Sequence, residues 1–490
     1  MTATASDNGT STGATVAGTP SAGTPSEEST AKRSKPAPKS APKPGQRSPS
    51  TRTPDARSAE PKGRPKGGAE KGGTGNDAED QIQWWHPMAP LDRTARAYRD
   101  IGRRVARNPV ARLSVAWPRT AKFAAGKLTE DRTPGIPPTR LTPSLLAHVV
   151  IDEAIMAIAV GPKRFPRRAD YHRVSDELAR AHELFTAEGW IENPKSFHKD
   201  PPPMTEPAVT RGWALGTSYE RLWWPSGYEP HLGVPGTDRW LAFESNRTAS
   251  AWVLRHRDRP RPWVVCVHGF GTGPVFMDLF SFRARYLHEQ LGVNVAAIVL
   301  PVHGSRRPGA MNGEEFLGFE FMNSVHGLTQ SLWDVRRLLS WVRTQDPTGV
   351  GVLGISLGAM VASLVANFEA DLDMVLAGIP VVDFPGLIEH HAPTNLQMRS
   401  IEHNILDGTA QDVHRVVSPL AMEPVTPRRA RAIFAGLGDR LATTDQARRL
   451  WEHWDKPETL WFQGNHIGYL WSETVWRFVT SVLDERSLTA

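Results

Sequence analysis

Residues 351–360 read GVLGISLGAM, and within them Gly354, Ser356 and Gly358 make the pattern Gly-x-Ser-x-Gly. The apolar run from Val350 to Leu353 reads as a buried strand, and the small and aliphatic residues from Leu357 to Phe368 recur at helical spacing. The serine therefore falls on the turn between a strand and a helix. Glycine on either side lets so tight a bend close. The bend lifts the hydroxyl above the sheet edge and aims the first amides of the helix at whatever it attacks. Ser356 is thus the candidate nucleophile, and the strand-turn-helix setting carries more weight than the pentapeptide alone.

Working outward, the chain becomes regular from Trp263. A strand at Trp263 to Val267, a helix at Met277 to Leu291, a strand at Asn294 to Leu300 and a helix at Leu328 to Arg343 lead into the serine turn. Strands at Met374 to Gly378, Ala430 to Ala435 and Thr459 to Phe462 extend the series. Such alternation predicts a mostly parallel sheet flanked by helices on both faces. Upstream, strand-like pieces at Tyr219 to Trp224, Trp240 to Glu244 and Ala251 to Arg255 read as the antiparallel opening of a mixed sheet. Residues 381–427 form a helical insertion, placed to be a lid over the serine.

A serine hydroxyl is a weak nucleophile at neutral pH; it needs a base to take its proton and a third group to orient that base. Asp439 closes the loop Gly436-Leu-Gly-Asp439 that follows one predicted strand, and His466 closes Gly464-Asn-His466 after the last. All three candidates sit at the carboxyl ends of strands, on one edge of the sheet, in the order Ser356, Asp439, His466. Asp439 has a duller use as a helix cap, and Asp383 is a rival acid. The loop His268-Gly-Phe-Gly-Thr-Gly273 lies at the same edge, so the main-chain N–H groups of Phe270 and Leu357 are the candidate oxyanion donors. His268 itself reads as structural. His390, His391, His403 and His414 show no zinc-ligand spacing and read as lid residues.

On these motifs, residues 262–483 resemble the α/β-hydrolase superfamily of serine esterases, lipases and acyl hydrolases. Pro301-Val-His-Gly-Ser-Arg-Arg307, Gly351 to Ser363 and His466-Ile-Gly-Tyr-Leu470 are similar to the α/β-hydrolase domain-containing protein 18 type and its bacterial relatives, although Ala359 stands where many members carry glycine. The resemblance implies an α/β-hydrolase fold with its insertion after strand 6. It also implies cleavage of a carboxylic ester or thioester, lipids among the substrates, through an acyl-serine, with no cofactor and no metal. Phe276, Phe280, Leu387, Met398 and Trp471 are either an apolar acyl pocket or plain core. Arg306 and Arg307 are either a holder for an anionic head group or a solvated turn. An acyltransferase using the same three residues, and a catalytically silent scaffold at a membrane, remain as alternatives.

The chain has 490 residues and a formal charge of +6. Residues 32–71 alone carry nine more cations than carboxylates, so the rest is near neutral. This charge lies in a polar tail rather than on a recognisable binding fold, and no nucleic-acid partner is expected. Cys266 is the single cysteine, and an intramolecular disulfide is excluded. The opening MTATASDNGT lacks the apolar core of a secretory signal. No span reaches the ~18 apolar residues of a membrane helix, because Asp152 and Glu153 interrupt the best one, Leu145 to Val160. A cytoplasmic location is expected. Residues 1–80, rich in Pro, Ser, Thr and Gly, should be disordered. Residues 81–235 read as a helical extension with helices at Leu145 to Val160 and Ser175 to Glu188, and residues 236–486 as the catalytic domain. Between Thr94 and Lys127, Arg96, Arg99, Arg103, Arg104, Arg107 and Arg112 lie among apolar residues, which suits either peripheral membrane contact or a solvated face.

Overall fold

The computed structural model describes residue 114 and residues 116–129, 133–159, 166–309, 312–316, 318–406 and 408–490. The tail 1–80 and the arginines of the stretch 94–127 lie outside the described residues.

Nine strands among them form one sheet in the order β1-β2-β3-β5-β4-β6-β7-β8-β9. β1 (Ala208–Ala214), β2 (Thr217–Pro225) and β3 (Thr248–Leu254) run antiparallel and join β5 (Asn294–Val299). β4 (Trp263–Val267), β6 (Val350–Ile355), β7 (Met374–Gly378), β8 (Arg431–Gly436) and β9 (Glu458–Phe462) are parallel, with β5 aligned to β4.

The central parallel strands β4, β6 and β7 carry no polar side chain and are buried because both faces are covered, whereas β8 opens on Arg431 and β9, at the sheet edge, opens on the exposed Glu458. Side chains alternate between two cores: Trp263, Val265 and Val267 point into one, and Val264 and Cys266 into the other. Thirteen described helices surround the sheet. α1 (Ala116–Thr129), α2 (Pro143–Ala159), α3 (Arg168–Ala187) and α4 (Thr237–Leu241) precede β4. α5 (Val275–Ser281) and α6 (Ala284–Glu289) follow it, α7 (Phe321–Arg343) lies between β5 and β6, and α8 (Leu357–Ala366) leaves β6. The insertion between β7 and β8 holds α9 (Phe384–His391), α10 (Thr394–Glu402) and α11 (Thr409–His414); α12 (Thr444–His453) and α13 (Glu473–Glu485) finish the chain. Counted from β2, this insertion follows the sixth strand, as expected.

Where the structure differs from the sequence reading, the cause is tertiary. Trp240 to Glu244 is not a strand: Trp240 lies in α4, where its indole N–H donates to Gln330 in the core, 2.8 Å away. The helix expected over Met277 to Leu291 is two, because Arg283 turns left-handed (φ 43°) between α5 and α6 and donates to the Leu470 carbonyl. Helix α7 starts seven residues early and runs through Gly327, over which the Phe316 ring packs so closely that a Cβ would meet it at 2.8 Å. The stretch 81–235 is not wholly helical either. It supplies β1 and β2, which hydrogen-bond into the sheet ahead of the boundary expected at residue 236.

Candidate active site

Ser356 is the hinge between β6 and α8, and its backbone sits at φ 57°, ψ −115°, a conformation that is costly for any side chain. Two close approaches hold it there. A Cβ on Gly354 would come within 2.2 Å of the Gly358 carbonyl oxygen, and one on Gly358 within 1.8 Å of the Val267 carbonyl oxygen. The flanking glycines are therefore required by packing. The positive φ falls on the serine itself, and neither glycine shares it.

His466 ends the loop after β9, and its Nε2 lies 2.9 Å from Ser356 Oγ. Its Nδ1 lies 2.7 Å from Asp439 Oδ2. With the Nδ1 proton donated to that carboxylate, Nε2 is left to accept the serine hydroxyl proton. Asp439 is buried, and its other oxygen accepts the N–H groups of Leu441 and Ala442, both at 2.9 Å. Burial opposes charge on His466, but the Asp439 carboxylate, and Asp152 after it, more than offset this and raise its pKa. The rival Asp383 is committed elsewhere: it caps α9 through the Gly386 N–H and pairs with Arg449 at 2.6 Å.

The glycine loop after β4 runs beside the serine; a Cβ on Gly269 would lie 3.4 Å from that of Ser356. His268 ties the loop down. Its Nδ1–H donates to the Gly269 carbonyl at 2.8 Å, and its Nε2 accepts the Leu300 N–H at 3.0 Å. The buried Asp278 accepts the Gly273 N–H and the Trp252 indole N–H from the far side. Leu357 opens α8, where the first amides have no partner within the helix.

Sequence reasoning missed Asp152, taken only as an interruption of an apolar stretch. It comes from α2, is fully buried, and accepts the backbone N–H of His466 and of Arg440, each at 3.0 Å, on Oδ2. Its Oδ1 accepts the Asn465 side-chain amide at 2.7 Å. Burial, then the neighbouring Asp439 carboxylate, pushes its pKa up to about 7. No spacing rule reaches a residue about 300 positions from its partners; a charged residue inside an otherwise apolar helix was the one available signal.

Arg306 holds no head group and lies on no solvated turn. It is buried, paired with Asp334 at 2.8 Å, and donates to the carbonyls of Val299 and Asn246. Phe276, Phe280, Met398 and Trp471 are exposed, whereas Leu387 is buried. His391 and His414 bond backbone carbonyls, and among the described residues no group of three or more His, Cys, Asp or Glu could hold a metal ion. A cavity of about 440 Å³ between α1, α9 and α12 reaches Asp439 from behind, yet neither Ser356 nor His466 lines it.

Comparison with known proteins agrees with this architecture. The alpha/beta hydrolase family profile matches residues 264–482. The uncharacterized proteins MT2702 and Rv2627c of Mycobacterium tuberculosis are each 39% identical over 355 residues, 72% of this chain and 85% of theirs. The chain belongs to the family of these two proteins. Its fold is that of the α/β hydrolases. Among solved structures, an acetyl xylan esterase from a Paenibacillus species is similar with a TM-score of 0.43 at 14% identity, over 61% of this chain and 93% of that one. Esterase B from Lactobacillus rhamnosis has a TM-score of 0.35 at 15% identity, over 64% and 95%. Likeness so remote carries no information on substrate.

Proposed function

We propose that the protein is a serine hydrolase that cleaves carboxylic esters or thioesters through an acyl-enzyme. The observation that carries this reading is the hydrogen-bonded line from Ser356 Oγ through His466 to Asp439, ending on a strained elbow. In the proposed cycle His466 Nε2 takes the hydroxyl proton as Ser356 Oγ adds to the acyl carbon. The Phe270 and Leu357 amides receive the oxyanion, and the imidazolium returns its proton to the departing alcohol or thiol. His466 next deprotonates a water, whose oxygen adds to the acyl carbon; as the acyl–Oγ bond breaks, the imidazolium returns that proton to Ser356 Oγ and the free acid leaves. Asp439 accepts the Nδ1–H throughout and keeps it in place.

Phe276 and Phe280 lie one turn apart on α5, directly after the glycine loop, and Trp471 lies five residues beyond His466; their exposure suits an apolar acyl group. A lipid ester is therefore part of the proposal. The narrower likeness to the α/β-hydrolase domain-containing protein 18 type also stays at this level, since Arg306 and His303 of the shared PVHGSRR segment are buried framework. No described helix is long and apolar enough to cross a membrane.

The test is labelling with a fluorophosphonate followed by a panel of acyl esters of increasing chain length. Wild type should be labelled and Ser356→Ala should not. Equal labelling of both removes the nucleophile assignment. If ester product outweighs free acid when an alcohol is added, the enzyme is an acyltransferase.

A further inference from the structure

The segment before the sheet does more than cover it. Residues 138–153 lie across the loops after β8 and β9, the two that carry the candidate acid and base. The Arg140 N–H donates to Gln463 Oε1 at 2.9 Å, Gln463 Nε2 donates back to the Pro138 carbonyl at 3.0 Å, and Leu145 packs on Gly438. At the centre of this contact stands the Asp152 carboxylate. Its three accepted hydrogen bonds come from the residue after Asp439, from His466 itself and from the residue before His466. One buried side chain thus joins the two loops from behind, at the backbone of the base.

We infer that Asp152 is a positioning residue of the Ser356 site: a helix outside the hydrolase core supplies a carboxylate that fixes the His466 backbone and brings a second negative charge, beside that of Asp439, to the base. The inference rests on the proposed hydrolase reading only for its kinetic consequence. Burying a carboxylate is costly unless it is hydrogen-bonded, and this one spends its bonds on two main-chain amides and one side chain of the site loops. An imidazole displaced by about 1 Å loses roughly 10²-fold in rate, so the backbone that carries it must be held. The titratable and charged groups around Asp152 are Asp439 and Arg440 on the β8 loop, His466 on the β9 loop, His148 and Glu153 on its own helix, and Arg119 of α1 behind Glu153.

The experiment compares full-length wild type, Asp152→Asn and Glu153→Gln. Asp152→Asn is isosteric but removes the charge and turns one acceptor into a donor; Glu153→Gln removes the neighbouring charge, which reaches Arg440 and Arg119 instead. His466 imidazole titration by NMR, which needs no substrate, should shift to lower pH in Asp152→Asn and stay in place in Glu153→Gln. With an ester substrate, kcat in Asp152→Asn should fall about 10- to 100-fold while KM changes less than about 3-fold. An unshifted imidazole overturns the inference whether or not the protein is an esterase. Equal kinetic losses in the two variants also overturn it, because they reduce Asp152 to a generic anchor of the helix. Fluorophosphonate labelling of wild type and Ser356→Ala, run beside these, reports on the hydrolase reading separately.

Discussion

Asp439 meets His466 with one oxygen and the amides of Leu441 and Ala442 with the other, so the carboxylate that faces the imidazole is held by the backbone of its own loop. Fixing the acid in this way makes its charge and its orientation separable by mutation. Asp439→Asn keeps the shape but favours the wrong imidazole tautomer, and kcat should fall roughly 10⁴-fold with little change in melting temperature. Ser356→Ala should lose at least as much. Ester turnover with each purified variant checks both; an Asp439→Asn enzyme within a factor of ten of wild type removes Asp439 from the proposed role.

The raised pKa of His466 fixes the sign of the pH response. In the proposed cycle neutral imidazole is the active form, so kcat/KM should rise with pH through a limb above the ordinary histidine value of about 6.5, and fall as His466 protonates below it. Because the folded-state pKa is raised, protonation of this group stabilises the fold at low pH, and that contribution fades as pH rises through the limb. Activity that is full at pH 5 contradicts the assignment.

Gly358 has no room for a methyl group. Gly358→Ala should destabilise the protein by about 3 kcal/mol or more, because the contact is with the Val267 backbone rather than a movable side chain. Urea denaturation reads this directly. A variant as stable as wild type means the elbow and β4 are farther apart than described.

Arg306 and Asp334 are buried against one another between the sheet and α7. Asp334→Ala leaves the guanidinium without its partner and should cost about 3 to 5 kcal/mol. The loss should appear in denaturation and leave KM for the folded enzyme unchanged. A raised KM for anionic esters at unchanged stability indicates a ligand role instead.

His268 links the Gly269 carbonyl to the Leu300 N–H. His268→Ala frees the loop that carries Phe270, the proposed oxyanion donor, and leaves a buried N–H unpaired, at a cost of about 1 to 3 kcal/mol. The kcat should fall toward the 10²-fold typical of a lost oxyanion donor. Unchanged kcat at reduced stability separates scaffold from chemistry.

The parallel half of the sheet was legible in the sequence because strands covered on both faces are dominated by apolar residues, as Val350 to Leu353 and Ala432 to Ala435 are. Ser356, Asp439 and His466 were legible because each follows such a strand at the same edge, so local pattern and chain order sufficed to bring them together. β1 was not, since an edge strand with solvent on most of its residues needs no apolar run.

What the amino-acid order determined by itself is the set of short-range constraints: which runs can be buried, where a glycine-flanked serine must turn, and which loops leave the sheet at one rim. Tertiary structure alone decided that Trp240 enters a helix, that Arg306 is buried against Asp334, and that Asp152 from α2 grips the backbone of His466. Those outcomes depend on what a side chain meets from hundreds of residues away, and burial sets their energy, so no local period or spacing encodes them.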